Sequence, residues 1–390
     1  MINARTQINI PKDWQRVKLG GISAVITGGT PSTGVPRYWG GSIRWMSSGE
    51  VNSRRVYDTE KRITQEGLEN SNATLLPKGA VMVALAGQGK TRGKAAVLEI
   101  EATCNQSLAA ILPQEGRLLS DFLFFNLENR YQELRDLSGG EGRAGLNLKL
   151  IKELEVLLPP IFEQKKIAEI LGAVDEEIAK TDEIIAATEK LKRGLAAGFF
   201  NKKGKTVLLG DFVEIRSGDT PSGFEFEVDG MYPFYKVEDM NKSQKYLIPT
   251  RFHFNKYDKP LMPKGMVVFP KRGAAIYTNK VRILSADSYF DTNVMGLITK
   301  KGLNNEYLYY LLTHIGLSQF ADTTSVAQIN NKHIQPLAIT LPDEKIQIEA
   351  AEVLSSVDEK VAVNMKIRDE LAQLKKGLMQ DLLSGKKRVI

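Results

Sequence analysis

The chain is an internal repeat, and this limits its fold more than any single motif does. Val17 to Ser32 (VKLGGISAVITGGTPS) lies over Val207 to Ser222 (VLLGDFVEIRSGDTPS) at an offset of 190 with seven identities, and Thr30-Pro31-Ser32 falls on Thr220-Pro221-Ser222. Pro77-Lys78-Gly79 matches Pro263-Lys264-Gly265 at an offset of 186. Leu158 to Gly204 then lies without a gap over Leu341 to Lys387 at an offset of 183, with 16 identities in 47 positions. The register slips only by small deletions, so one unit of about 190 residues is used twice. Each copy carries a globular part followed by a helix.

The helical part is the plainest element. From Ile161 to Phe200 there is no Pro, and Leu171, Val174, Ile178, Thr181, Ile185 and Thr188 keep the alternating spacing of a coiled-coil seam. In the second copy Leu354, Val357, Val361, Asn364, Ile367, Leu371, Leu374 and Leu378 are expected to do the same. Pro160 suits the first helical position, Asp343 suits an N-cap, and Gly204 and Gly385 lie where the helices should stop. A helix of about 40 residues is roughly 60 Å long and needs a partner for its apolar stripe. The other copy supplies one, so the spacing predicts an antiparallel coiled coil with Thr181 and Asn364 as polar register-setters.

Each globular part reads as mixed α and β. Strands are expected at Val81 to Leu85, Ala95 to Ile100 and Ser107 to Leu112 and a helix at Ser120 to Leu137. The second copy repeats the order with Met266 to Phe269, Lys280 to Ser285, Val294 to Thr299 and the helical Asn304 to Phe320. The expected fold class is therefore α+β: two similar mixed α/β domains at 1–157 and 205–340, each followed by a long helix, at 158–204 and 341–390.

Composition rules out several classes. Apolar residues make up 42% and charged residues 25% of the 390, with a mean hydropathy of −0.22, as in a chain that buries real cores. No apolar run approaches the ~18 residues of a membrane span, and the start lacks an apolar signal core, which predicts a soluble, cytoplasmic protein. The single Cys104 excludes a disulfide framework and a Cys-rich zinc site. Ala84 to Thr91 ends in Gly89-Lys90-Thr91, yet Ala84 stands where a phosphate-cradling loop needs its first Gly, and the second copy has Ala275-Ile276-Tyr277 there. His253, His314 and His333 have no ligand spacing, and Leu158-Pro159-Pro160-Ile161 lacks the Asn and the aromatic of an amino-methyltransferase box. No constellation for catalysis emerges.

Binding is what remains. Lys and Arg number 53 against 46 Asp and Glu, a net +7, and most of the excess lies in residues 1–157 and 206–340. No acidic residue occurs between Glu69 and Glu99, where Lys78, Lys90, Arg92 and Lys94 lie, or between Asp258 and Asp287, where Lys259, Lys264, Lys271, Arg272, Lys280 and Arg282 lie. These windows coincide at offset 186. One charge run is an ordinary solvated face, but the same acid-free basic loop twice points to phosphates. Polar and aromatic residues lie upstream: Arg37, Tyr38, Trp39, Arg44, Trp45 and Ser47, then Tyr232, Phe234, Tyr235 and Lys236. The copies diverge most there, as in two readers built alike that read different things. The candidate DNA-contacting set is Thr30, Ser32, Arg37, Tyr38, Trp39, Arg44, Gln88, Lys90, Thr91, Arg92, Lys94 and Arg143, with Thr220, Ser222, Lys236, Lys271, Arg272, Tyr277, Lys280 and Gln328 in the second copy.

On these residues the chain resembles the DNA specificity subunit of type I restriction-modification systems. Similar to that pattern are Ile10-Pro11 with Trp14, Leu19-Gly20, the Gly28 to Ser32 turn before Tyr38-Trp39 and Ile43-x-Trp45, Gly87 to Gly93, the Leu157-Leu158-Pro159-Pro160-x-x-Glu163-Gln164 helix entrance and the Leu191-Lys192-x-Gly194-Leu195 exit. The second copy departs from it, with Pro270-Lys271-Arg272-Gly273 for the loop and Ile346 before Gln347. The resemblance implies two target-recognition domains reading a bipartite site in double-stranded DNA, with the helices as spacer. It also implies partners: two adenine-N6 methyltransferase subunits and, beyond them, endonuclease and translocase subunits. The chain itself would be non-catalytic and hold no cofactor. The rival reading is a coiled-coil scaffold without sequence-specific DNA binding, on which Leu171, Val174, Ile178, Ile185, Leu354, Val357, Val361 and Leu371 would still form the seam.

Overall fold

The computed structural model describes residues 10–87, 89–137, 145–219, 230–248, 250–255, 259–322 and 326–389. Contacts divide the chain into two units, one running to Thr181 and resuming at Ile367, the other spanning Asp182–Lys366. Each contains one globular domain and part of both long helices, Ile161–Phe200 and Glu344–Leu382.

In the first unit a five-stranded sheet has the order Ser23–Thr27, Leu108–Pro113, Val81–Ala84, Ala95–Leu98, Arg55–Val56. Val81–Ala84 alternates faces: Val81 and Val83 join a core with the helix Ser120–Asn129, while Met82 and Ala84 pack beneath Met46, Val51 and Leu98. A second sheet sets Trp39–Met46 between Lys61–Ile63 and Thr103–Cys104, the latter parallel to it. Gln15–Lys18 pairs antiparallel with Glu155–Leu158 just before the first long helix.

The second unit repeats this topology. Its main sheet runs Val213–Ser217, Val294–Thr299, Val267–Pro270, Arg282–Ile283. Its side sheet sets Tyr232–Tyr235 between His253–Phe254 and the parallel Tyr289–Phe290. Lys205–Leu208 pairs with Ala338–Leu341 before the second long helix. The fold is thus the mixed α/β repeat with long helices that the sequence implies.

The helix entrances share one device. Gln164 is fully buried; its Oε1 accepts from the Leu119 amide (3.0 Å), and its Nε2 donates to the Arg117 and Pro159 carbonyls, both at 2.9 Å. Gln347 repeats the pattern with the Asn304 amide and the Gly302 and Pro342 carbonyls, each at 2.9 Å. One amide side chain thereby satisfies three backbone groups where strand, loop and helix meet.

Within the first unit Ile167 and Leu171, near the start of the first helix, share a core with Met379, Leu382 and Leu383 at the end of the second. Within the second unit Ala196 and Phe199 pack with Ala350 and Leu354. Both pairings make the helices antiparallel. Leu171, Thr181, Thr188 and Leu354 are buried, and Val174, Ile178, Ile185, Val357, Val361, Asn364 and Leu371 are half-buried.

Four expectations need correction. Ile367 and Leu374 are 42% and 51% exposed, and the half-buried neighbours Arg368 and Lys375 take their places, so the seam keeps an unbroken seven-residue period through Leu354, Val361, Arg368, Lys375 and Leu382. The expected Ser120 to Leu137 helix is two, Ser120–Asn129 and Tyr131–Asp136, divided where Arg130 leaves helical backbone angles at φ −99° and ψ 17°. Its counterpart in the second copy, expected from Asn304 to Phe320, runs only through Asn305–Ile315 before Gly316, with φ 88°, breaks it ahead of the short Leu317–Phe320 turn. Gly204 caps nothing: the first helix ends at Phe200, and a Cβ on Gly204 would lie 2.7 Å from the Leu341 carbonyl oxygen. Gly385, three residues past the second helix, does adopt the left-handed φ of 73°.

Candidate nucleic-acid interface

The upstream face of the first unit is built on a glycine pair. A Cβ on Gly28 would lie 1.9 Å from the Cys104 carbonyl oxygen, and Trp45 Nε1 donates to the Gly29 carbonyl (2.9 Å), so the turn to Ser32 is pinned against the side sheet. Thr30 Oγ1 is thereby placed 2.5 Å from Gln106 Oε1, to which it donates. Ser32 is exposed, and its carbonyl accepts from Trp39 Nε1 at 3.2 Å. Trp39 stands edge-on to Trp45 (5.1 Å between centroids) with the Lys61 ammonium over its ring, beside an open cavity of about 450 Å³ also lined by Thr33, Glu60 and Arg62. Arg37 is exposed over the half-buried Tyr38 and donates to Glu66 (2.7 Å), while Arg44 donates to Asp58 (3.0 Å). The two arginines therefore already have carboxylate partners.

The downstream loop of this unit is held from behind. Gly89 and Gly93 take φ values of 80° and 84°, and their loop carries no helix, unlike a phosphate-cradling loop that runs into one. Tyr131 donates to the Lys90 carbonyl (2.8 Å) and Arg135 to the Gly89 carbonyl (2.5 Å). The exposed Lys90 side chain and the half-buried Thr91 and Arg92 are thus carried on a fastened backbone. Lys94 instead donates to Asn52, at 2.7 Å.

In the second unit the corresponding loop gathers its cations more tightly. Lys271 donates through Nζ to Ser217 (3.1 Å), and the Arg272 backbone bridges to Gln328. Burial, and then the neighbouring Arg272 charge, hold the Lys271 ammonium below its ordinary pKa, with Asp291 opposing them. Arg272 is exposed, and Tyr277, on the 3-10 turn Gly273–Thr278, is 61% exposed. Lys280 donates to Asn241, as Lys94 does to Asn52; both asparagines lie in or beside the 3-10 turn that follows the side sheet. Lys236 is half-buried with its ammonium 4.0 Å over the Phe252 ring. Gln88, Arg143, Thr220 and Ser222 lie outside the described residues.

Among the described residues no group of His, Cys, Asp and Glu is placed to hold a metal ion, and no helix is long and apolar enough to cross a membrane. The Cys104 thiol is buried and pushed up to about 12, which leaves no thiolate for nucleophilic chemistry. Sequence reasoning missed the polar groups that join each domain to the helices: Arg54, Glu128 and Asp175 with Lys375, and Lys245, Glu306 and Asp358 with Lys192. Their signal was present, since Asp175 and Lys192 are among the identities retained at offset 183 as Asp358 and Lys375.

Residues 11–190 and 201–373 each match the family described as the type I restriction modification DNA specificity domain. Two relatives are specificity subunits of the type I restriction enzymes MjaIX and MjaVIII of Methanocaldococcus jannaschii. The first is 24% identical over 97% of this chain and 95% of its own length. The second is 24% identical over 98% and 95%. Among solved structures, the S subunit of a type I restriction-modification system from M. genitalium superposes with a TM-score of 0.64 at 15% identity, over 97% of this chain and 98% of that one. A chain from work on complex assembly and conformational transition of the type I R-M system gives 0.61 at 17% identity, over 96% and 98%. At such identities the structures establish the likeness of fold.

Proposed function

Because the chain belongs to the type I restriction modification DNA specificity family and is the DNA-recognising subunit of such a system, we propose that its two units divide the task, each reading one half of a bipartite site in double-stranded DNA. The domains at 1–157 and 205–340 are the two readers. The long helices set the distance between the half-sites and dock two methyltransferase subunits, with endonuclease and translocase subunits joining that assembly. The chain is non-catalytic and supplies recognition to partners that carry the chemistry.

The observation that carries this reading is a repeated frame bearing unlike surfaces. Both units keep the same strand framework, the same buried glutamine at the helix entrance and the same Lys–Asn bond, while the side chains upstream of the basic loops and the loops Gly87 to Gly93 and Pro270 to Gly273 differ in sequence. Phosphate contacts from exposed cations such as Lys90 and Arg272 would set register, and side chains such as Ser32, Trp39, Tyr277 and Gln328 would reach base edges.

The test is a chimera in which residues 17–157 are replaced by the matching part of a relative. Assembled with its methyltransferase subunits and offered a pool of randomised duplexes, the chimera should select the original second half-site joined to a new first one. Loss or change of both half-sites together would overturn the division of labour.

A further inference from the structure

Each recognition domain meets the helices twice. One contact is apolar, at the helix ends already described. The other is polar and lies about two turns away. In the first unit Lys375 Nζ donates to Asp175 on the other long helix (2.7 Å) and to Glu128 of the domain (2.6 Å), above the Phe125 ring at 5.3 Å. Arg54, also of the domain, closes the cluster on Glu128 (2.8 and 3.0 Å) and Asp175 (2.7 Å). Its φ of 61° is strained for a residue with a side chain, and the conformation is kept by Val51 and Val97 on its backbone and the two carboxylates on its guanidinium.

The second unit holds the same cluster with the helices exchanged. Lys192, on the first helix, donates to Asp358 on the second (2.5 Å), 5.3 Å over the Tyr310 ring of the domain. Tyr310 donates to Asp358 (2.8 Å), and Lys245 donates to Glu306 (2.6 Å) and to Ser355 of the helix (3.0 Å). Asp175 and Asp358, like Lys192 and Lys375, are related by the repeat offset of 183. The Lys375 and Asp175 side chains are 11% and 18% exposed and those of Lys192 and Asp358 24% and 25%, so neither is a fully solvated surface pair.

A lysine at a seam position is costly in a coiled coil, and a well-packed apolar side chain would serve stability as well or better. What the cluster adds is a second point of attachment. A rod fastened to a domain at one place rocks about it; fastened at two places along its length, it does not. Over about 30 Å, half the length of a forty-residue helix, rocking by roughly 6° moves the tip by ~3.4 Å, one base-pair step. From this we infer that Asp175–Lys375 and Asp358–Lys192 are positioning residues that fix the spacing accepted between the two half-sites, while leaving the bases read in each unchanged. The inference rests on the bipartite reading proposed above.

The experiment compares the wild-type chain with Lys192→Met and Lys375→Met, each assembled with methyltransferase subunits, by sequencing duplexes bound from a randomised pool. Lys192→Arg and Lys375→Arg, which keep the charge, are the controls. The Met variants should select the wild-type half-sites, but their preference for the native spacing over one base pair more or fewer should fall by roughly fivefold or more, the low end of usual coupling between sites. The Arg variants should restore it. A purely structural role would weaken binding equally at every spacing, and that outcome, with an unchanged spacing preference, overturns the inference. Should a Met variant fail to fold, Asp358→Asn, which is nearly isosteric and retains the Tyr310 hydrogen bond, carries the same comparison. A wild-type chain that selects no bipartite motif would overturn the underlying reading as well, so the two failures are distinguishable.

Discussion

Glu163 and Ile346 occupy the same step of the two helix entrances, one residue before the shared glutamines, and the units part company around them. Glu163 is fully buried and accepts from Trp14 Nε1 (2.9 Å) and twice from Arg388 (2.8 Å each), while Arg388 also grips Asp13 (2.7 and 3.0 Å). In the second unit the matching stretch of chain, Asn201 to Gly204, continues covalently from helix to strand and needs no such tie. The first unit must instead hold two separate segments, Asp13–Trp14 and Arg388–Val389, against one helix start. The difference teaches that a repeated frame is kept where both copies face the same task and altered where the chain's path differs.

The largest expected effect breaks this asymmetry. Glu163→Ala leaves Trp14 and Arg388 without their shared acceptor and should cost about 3 kcal/mol, whereas the half-exposed Ile346→Ala should cost about 1 kcal/mol. Urea unfolding, with hydrogen exchange to localise the loss to the first unit, measures both; equal losses would show that the tie is not what distinguishes the units. The tie also has a pH signature. Burial works against the Glu163 charge, but the Arg388 and Trp14 hydrogen bonds outweigh it and hold its pKa below the ordinary 4.5. A depressed carboxylate pKa contributes stability that is present above the unfolded value and is lost as pH falls through the folded one. First-unit protection should therefore decline below about pH 4.5 in the wild type and change less in Glu163→Gln.

Next in size is an effect that should appear on one side only. Arg272 is exposed beside Lys271 and Gln328, and the loop of the first unit has no equivalent pair of adjacent cations. Arg272→Ala should weaken DNA binding by about 1–3 kcal/mol if the guanidinium reads a base edge, and should relax only the second half-site. If it contacts phosphate alone, both half-sites stay as they were and the salt dependence flattens by about one charge. Titration of duplexes at several salt concentrations separates these, and no change in either quantity removes Arg272 from the interface.

What was legible in the sequence follows the same line. The repeat, the two long helices, the main-sheet strands and the antiparallel pairing of the helices were readable because hydrophobic period and repeat offset are carried by the sequence itself. The seam went astray at Ile367 and Leu374 because period reasoning favours apolar residues, while Arg368 and Lys375 hold the heptad positions, and Lys375 does so with Asp175 and Glu128 as partners. No spacing rule foresees a lysine made acceptable by a carboxylate some 200 residues away. At the candidate interface, composition marks basic loops but does not tell a cation aimed outward from one bonded within, as Arg37 with Glu66 and Arg44 with Asp58 show.

The smallest expected effect sharpens that last distinction. Lys94 and Lys280 lie in the two acid-free windows and are equivalent by the repeat, so charge alone marks both as phosphate contacts. Each nevertheless donates to an asparagine at the 3-10 turn of its own domain. Exposed hydrogen bonds of this kind contribute about 0.5–1.5 kcal/mol. Lys94→Met and Lys280→Met should therefore lower the stability of their own units by similar, small amounts, leave both half-sites as selected from a randomised pool, and change the salt slope of binding by less than Arg272→Ala does. Matched stability losses with unaltered recognition would place the pair in the shared frame. A salt slope reduced by a full charge in either variant would return that lysine to the DNA-facing surface, because an ammonium held by a neutral amide keeps its charge and can still meet a phosphate.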